Sequence, residues 1–274
     1  MDTIVVHPAT NKLLELLRAD LPQSLLLSGQ RGVGLYTVAQ SVAGRELAAK
    51  LAPQDAKGNP DENGTISVEM IRRLYEQTRA KQTARQVVII DDADRMSHGA
   101  QSAFLKLLEE PGTHTCFILT SHVPDRLLTT VRSRLQHLHV RPATAEQTDE
   151  FITHLGISDT TKRTQLHYLA EGLPAELSRL VTDDETFSQR AAVIGDARTL
   201  LQGTPYEKSL VIQKYRSDRS AALRLVDSAI AIVRRTLSTK PQQALVGQLE
   251  QLLEIRENIA SNYSAALQLM RFVL

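Results

Sequence analysis

The chain has 274 residues, 32 Lys+Arg against 31 Asp+Glu, and 42% hydrophobic residues. That near-neutral balance excludes a free-standing polycation holding nucleic acid by bulk charge, and the apolar content supports packed cores rather than disorder. A single cysteine, Cys116, excludes an intramolecular disulfide framework and a multi-cysteine zinc site, and fits a reducing compartment.

In chain order, the opening Met1-Asp2-Thr3-Ile4-Val5-Val6-His7-Pro8 carries no signal-peptide pattern. No apolar run approaches the ~20 residues of a membrane span, so a cytoplasmic protein without a membrane partner is expected. Helical apolar spacing predicts helices over 8–18, 37–51, 66–81 and 100–108. Between them, short β-prone runs predict strands over 24–28, 87–91, 115–120 and 136–140. Such alternation predicts an α/β layer with a mostly parallel sheet, and residues 53–64 read as a solvated loop. After Arg141-Pro142 the strands stop, although the charge balance barely changes. Three short helices are predicted over 144–155, 159–171 and 174–182, the last opened by a proline. A polar break follows at 182–185. From 186 to 274 long amphipathic helices, broken at 203–205, 216–218 and 239–241, predict a bundle of four or five. The expected domains are therefore 1–141, 142–185 and 186–274.

The run Leu25-Leu26-Leu27-Ser28-Gly29-Gln30-Arg31-Gly32-Val33-Gly34-Leu35-Tyr36-Thr37 is a strand, a glycine-rich turn and a helix start. Laid on the P-loop pattern G-x-x-x-x-G-K-[ST], Gly29 and Gly34 take the two glycine positions, with Gly32 between them. Leu35 holds the lysine position and Tyr36 the Ser/Thr position. The turn geometry survives, because backbone N–H groups at a helix start can face an anion. The side-chain chemistry does not. Leucine places no charge on the β/γ-phosphates, tyrosine is a poor replacement for a small Mg²⁺-ligating hydroxyl, and Thr37 is one residue out of register. On this motif alone, a plain glycine turn joining strand to helix reads equally well.

Val87-Val88-Ile89-Ile90-Asp91-Asp92 is a buried strand ending in two acids, the layout of a Walker B element. Asp91 would hold Mg²⁺, and Asp92 stands where a glutamate orients the attacking water. A core strand whose terminal acids cap the next loop is the plainer alternative. In this order the two elements are more specific together than apart, and every departure falls on the side of lost catalysis.

Further segments extend the pattern in order: Leu21-Pro22-Gln23-Ser24 before the glycine turn, and residues 66–73 ahead of 87–96. Then come Ala103-Phe104-Leu105-Lys106-Leu107-Leu108-Glu109-Glu110-Pro111, Phe117-Ile118-Leu119-Thr120 and Thr130-Val131-Arg132-Ser133-Arg134-Leu135-Gln136. With these, much of the first 180 residues resembles the AAA+ clamp-loader subunits of replicative DNA polymerases. The matching parts are the P-loop entry, the Walker B passage, the LLK-LEEP segment, the sensor-1 strand tipped by Thr120, and the SRC motif. The resemblance implies an α/β P-loop domain of the AAA+, RecA-like kind, then a three-helix lid and an all-α oligomerising collar. It also implies a five-subunit loader that opens a sliding clamp and places it on primer–template DNA. The partners so implied are gamma/tau-type ATPase and delta-type clamp-opening subunits.

In that family the SRC arginine reaches into the neighbouring subunit's ATP site, where a planar cation stabilises developing phosphate charge. Arg134 stands at this position, with Leu135 replacing the motif's cysteine. Arg132 is the alternative finger, and a solvated arginine after a helix turn is the plainer reading. Two departures matter. Residues 47–65 lack the four-cysteine zinc module of many relatives, and Ala175 and Glu176 stand where a sensor-2 arginine is expected. The resemblance with these losses implies a subunit without ATPase of its own, with no required cofactor, zinc or other metal and no productive nucleotide binding, that acts through Arg134.

Smaller features take plainer readings. His137 and His139 alternate on a strand end, without an acid or cysteine to complete a metal site. Cys116 reads as a small buried hydrophobe, and Thr120 alternatively as an ordinary strand-ending hydroxyl. Aromatic content of 4% and no tryptophan give no base-stacking surface. Two rivals stay open: an unconventional repair or recombination ATPase using Arg31 for the missing lysine, and a scaffold that keeps the AAA+ shape for assembly alone.

Overall fold

The computed structural model describes residues 5–61, 63–78, 84–112, 114–239 and 242–272. They fall into two compact units, Met1–Thr182 and Asp183–Leu274. The helix end expected at Lys81 and the break at Lys240-Pro241 lie outside the described residues.

In the first unit five strands, β1 (Ser24–Ser28), β2 (Leu47–Leu51), β3 (Gln86–Ile90), β4 (Thr115–Ser121) and β5 (Gln136–His139), form one sheet. Their order is β2-β3-β4-β1-β5, and every pair is parallel. The three central strands are buried at nearly every position, because both faces of the sheet are covered, and their middles are apolar. Period-two alternation sends Leu25, Leu27, Val87, Ile89, Cys116 and Ile118 into one core, and Leu26, Val88, Ile90, Phe117 and Leu119 into the other. The first core is closed by α1 (Pro8–Ala19) and α2 (Leu35–Ala43), through Leu14, Leu17, Val38 and Val42. The second is closed by α3 (Val68–Thr78) and α4 (His98–Glu109), through Ile71, Leu74, Phe104 and Leu107. There the rings of Phe104 and Phe117 meet edge to face at 5.3 Å. A single turn, α5 (Thr129–Arg132), adds Val131.

The stretch 37–51, expected as one helix, is corrected by the structure. Helix α2 ends at Ala43, Gly44 turns the chain with φ 54°, and Leu47–Leu51 becomes the edge strand β2. The composition Leu-Ala-Ala-Lys-Leu favours helix. Ladder pairing with β3 overrides that preference. The loop at 53–64 carries some order of its own, since Gln54 bridges to Pro60 and Thr65.

Three short helices complete this unit: α6 (Ala145–His154), α7 (Thr160–Ala170) and α8 (Pro174–Thr182). Thr144 and Gln147 form a capping box for α6, and Asp159 caps α7. One hydrogen bond and one apolar contact tie this region to the first core: Gln147 donates to the Val6 carbonyl at 2.7 Å, and Leu173 packs on that core. The second unit holds α9 (Asp184–Gln202), α10 (Pro205–Tyr215), α11 (Arg219–Thr239), α12 (Gln243–Ala260) and α13 (Ala265–Met270) around one core that includes Leu200, Leu225, Val226, Leu252 and Ile255. Among the described residues no helix is long and apolar enough to cross a membrane.

Candidate functional site

Parallel pairing brings the carboxyl ends of β1, β3 and β4 to one edge of the sheet, where open α/β sheets place their ligands. The glycine turn leaves β1 there. A side chain at Gly29 would meet the Val140 carbonyl at 2.8 Å, so the close approach of the chain beyond β5 demands glycine. Gly32 has φ 90°, and Gly34, with φ 87°, is the residue before α2. Leu35, at the lysine position, is turned into the first core and 3% exposed.

The loop is also joined to the third short helix. The Gly32 carbonyl accepts from the N–H groups of Ala175 at 2.9 Å and Glu176 at 3.2 Å. These are first-turn donors of α8, which a helix cannot satisfy by itself. The positions that lack a sensor-2 arginine therefore contact the glycine loop directly, through backbone.

At the end of β3, Asp91 and Asp92 meet the tip of β4. The Thr120 hydroxyl donates to Asp91 Oδ1 at 2.8 Å and accepts from the Asp92 N–H at 2.9 Å. Asp92 sits in the left-handed region, with φ 48°. Its carboxyl is held above the ordinary range, first by burial and then by Asp91, with His122 partly opposing. His122 joins loop to acid: its Nδ1 lies 2.9 Å from the Gly29 carbonyl and its Nε2 3.6 Å from Asp92. Asp94 accepts from the Ser121 hydroxyl at 2.8 Å and from the His122 N–H at 3.2 Å. The second oxygen of Asp91 takes Lys50 Nζ at 3.2 Å, and the same ammonium lies 3.6 Å from the centre of the Tyr36 ring.

Gly29, Asp91, Asp92 and Thr120 thus come together, while Arg134 does not join them. In the parallel register Gln136 pairs with Leu25 and His139 with Ser28. Arg134 precedes Gln136, at the amino edge of the sheet; Gly29 follows Ser28, at the carboxyl edge. With a strand rise of about 3.3 Å per residue the level of Gln136 and Leu25 is about 13 Å from Gly29, and Arg134 stands beyond that level, farther than an arginine side chain spans. At its own edge Arg134 donates to the Thr130 carbonyl and, at 2.8 Å, to Glu109 at the end of α4. Arg132, the alternative finger, is paired with Asp125. Leu135 is buried in the second core, which accounts for an apolar residue in the SRC cysteine's place. His137 and His139 both face Ser28 Oγ, at 2.7 and 3.2 Å. Cys116 is buried and accepts from Arg85.

Sequence reading missed Lys50 and His122. His122 follows the sensor-like strand and had a positional signal. Lys50 had none, because its strand read as helix.

A glycine turn ending one parallel strand, paired aspartates ending another, and a hydroxyl-tipped strand between them define a P-loop domain of the AAA+ kind. Comparison with known proteins narrows that class. Residues 47–144 match the family described as DNA polymerase III, delta subunit. The DNA polymerase III subunit delta' of Pseudomonas aeruginosa is 29% identical over 208 residues, which cover 68% of this chain and 63% of that one. The delta' subunit of Escherichia coli K12 is 35% identical over 94 residues, 34% of this chain and 26% of that one. The chain thus spans less than two thirds of the length of either relative. The crystal structure of a DNA polymerase III gamma subunit-related protein from Thermotoga maritima shares the fold, with TM-score 0.55, 18% identity and coverage of 96% of this chain and 97% of that one. The chain resembles an AAA+ clamp-loader subunit of the delta-prime kind.

Proposed function

We propose that this chain is a clamp-loader subunit that turns over no ATP in its own P-loop and offers Arg134 to the ATP site of a neighbouring subunit. The observation that carries this reading is the division of the sheet. The exposed SRC arginine stands at the edge opposite the chain's own glycine loop, so the phosphate it serves belongs to another subunit. The residues at the carboxyl edge do not fit a Mg²⁺–nucleotide: Leu35 is in the core, Tyr36 replaces the small hydroxyl, and Lys50 takes one Asp91 oxygen. The partners in this reading are gamma/tau-type ATPase subunits, a delta-type clamp-opening subunit, and the sliding clamp with primer–template DNA reached through the assembly. The second unit serves as the collar, and α6–α8 as a lid.

In the loader reconstituted with its ATPase and clamp-opening subunits, Arg134→Ala is expected to lower DNA-stimulated ATPase by about tenfold or more, as for loss of an arginine finger. The isolated chain should hydrolyse nothing with or without the change. An unchanged assembly rate removes the trans role, and Mg²⁺-dependent turnover by the isolated chain makes it an ATPase instead.

A further inference from the structure

Four observations around Lys50 have a single account. Thr120 occupies one oxygen of Asp91, which leaves the other facing β2. Lys50 Nζ reaches that oxygen at 3.2 Å. Its other side is covered by the Tyr36 ring at 3.6 Å, within the range where an aromatic face attracts a cation. Tyr36, in turn, is partly buried against the first core, so the ring is held in place rather than swinging in solvent.

We propose that Lys50 is the resident cation of this site: its ammonium stands in for the divalent ion that a Walker B aspartate and a P-loop hydroxyl would otherwise share. The tyrosine at the Ser/Thr position then has a part in the arrangement. A small hydroxyl would ligate a metal; an aromatic ring instead seats an ammonium, which needs a soft negative face and no fixed coordination number. The carboxylate then has a counter-charge supplied from within the chain. Lysine suits the task because its charge is compact and its long stem can lie along apolar surface. The pair is reached by solvent, with side-chain exposure of 39% for Lys50 and 22% for Asp91, so its effect is on occupancy more than on stability.

This inference deepens the reading that the chain's own P-loop is silent, and its test reads metal occupancy by the single chain, which is independent of any assembly rate. Mn²⁺ is titrated into the purified full chain while amide signals of Asp91, Asp92 and Thr120 are followed by NMR. Wild type is expected to show no selective broadening there. Lys50→Met, which keeps the stem on Tyr36, should show broadening with apparent affinity raised by about tenfold, since an adjacent cation no longer opposes the incoming one. Lys50→Arg should behave as wild type, and Lys50→Met with Asp91→Asn should lose the gain. Lys50→Ala repeats the measurement if the methionine variant is poorly folded. Equal broadening in wild type and Lys50→Met overturns the proposal, as does a folded neutral variant that gains nothing.

Discussion

The two edges of the sheet have been treated differently. At the carboxyl edge every acid of the site has an internal partner: Asp91 has Thr120 and Lys50, Asp92 has His122, and Asp94 has Ser121. At the amino edge Arg134 is exposed, held by a single carboxylate and one carbonyl. The carboxyl edge is internally cross-linked, each acid held by a neighbouring side chain. An amino edge with a planar cation at the surface remains available to another molecule. The difference teaches that the two edges can change independently, because more than about 13 Å of sheet separates them. On the proposed reading, that is how an Arg134 finger persists beside a silent glycine loop.

The largest expected effect breaks both edges at once. Phe117 is fully buried in the strand between the glycine turn and the aspartates, edge to face with Phe104. Phe117→Ala should cost about 3–5 kcal/mol in urea unfolding, through lost transfer energy and the cavity left behind. A loss below about 1 kcal/mol would mean that the strand repacks readily.

The amino edge is sharpened by Arg134→Lys. A finger needs a planar fork, and lysine offers a point charge. DNA-stimulated ATPase of the reconstituted loader should fall by about tenfold, close to the alanine variant. Full activity with lysine would mean that charge alone suffices.

The carboxyl edge is probed by Gly32→Ala. The added Cβ would meet Glu176 Cβ at 3.0 Å, at a position with φ 90°. Strain of about 1–2 kcal/mol is expected, with faster amide exchange at Ala175 and Glu176 as α8 loosens from the loop. Unchanged exchange would separate loop strain from the helix contact.

The smallest effect concerns Asp92, whose carboxyl is held above its ordinary range by burial and by Asp91. A carboxyl raised in the folded state costs nothing below its ordinary pKa, and stability is lost as pH rises through the folded value. Asp92→Asn should therefore be mildly stabilising near neutral pH and without effect near pH 3, read by urea unfolding at the two pH values. A gain of equal size at both pH values would assign it to the left-handed backbone, which asparagine also tolerates.

Much of this site was legible before any fold was seen. Motif spacing points to Gly29, Asp91 and Asp92, the family resemblance adds Thr120, and the sheet brings the four to one edge. The strand at Ser24–Ser28 and the helix at Pro174–Thr182 were placed to the residue, because turn chemistry marks their ends. The failure at 37–51 is instructive, since one error hid two features. Local propensity made that stretch a helix, and an edge strand stabilised by its neighbour has no local signal. With β2 missed, Lys50 could not be placed beside Asp91.

What the sequence by itself determined is the order of chemical parts: a glycine turn without a following lysine, two aspartates after an apolar run, and an arginine in Ser133-Arg134-Leu135. These are covalent facts about side chains, and spacing along the chain is enough to read them. Tertiary structure alone decided which parts meet. The parallel register carries Arg134 to one edge and the glycine turn to the other, and long-range pairing of β2 with β3 delivers an ammonium to a carboxylate 41 residues away. The physical reason is that ladder hydrogen bonds and charge pairs act through space, between residues whose separation in sequence carries no record of their contact.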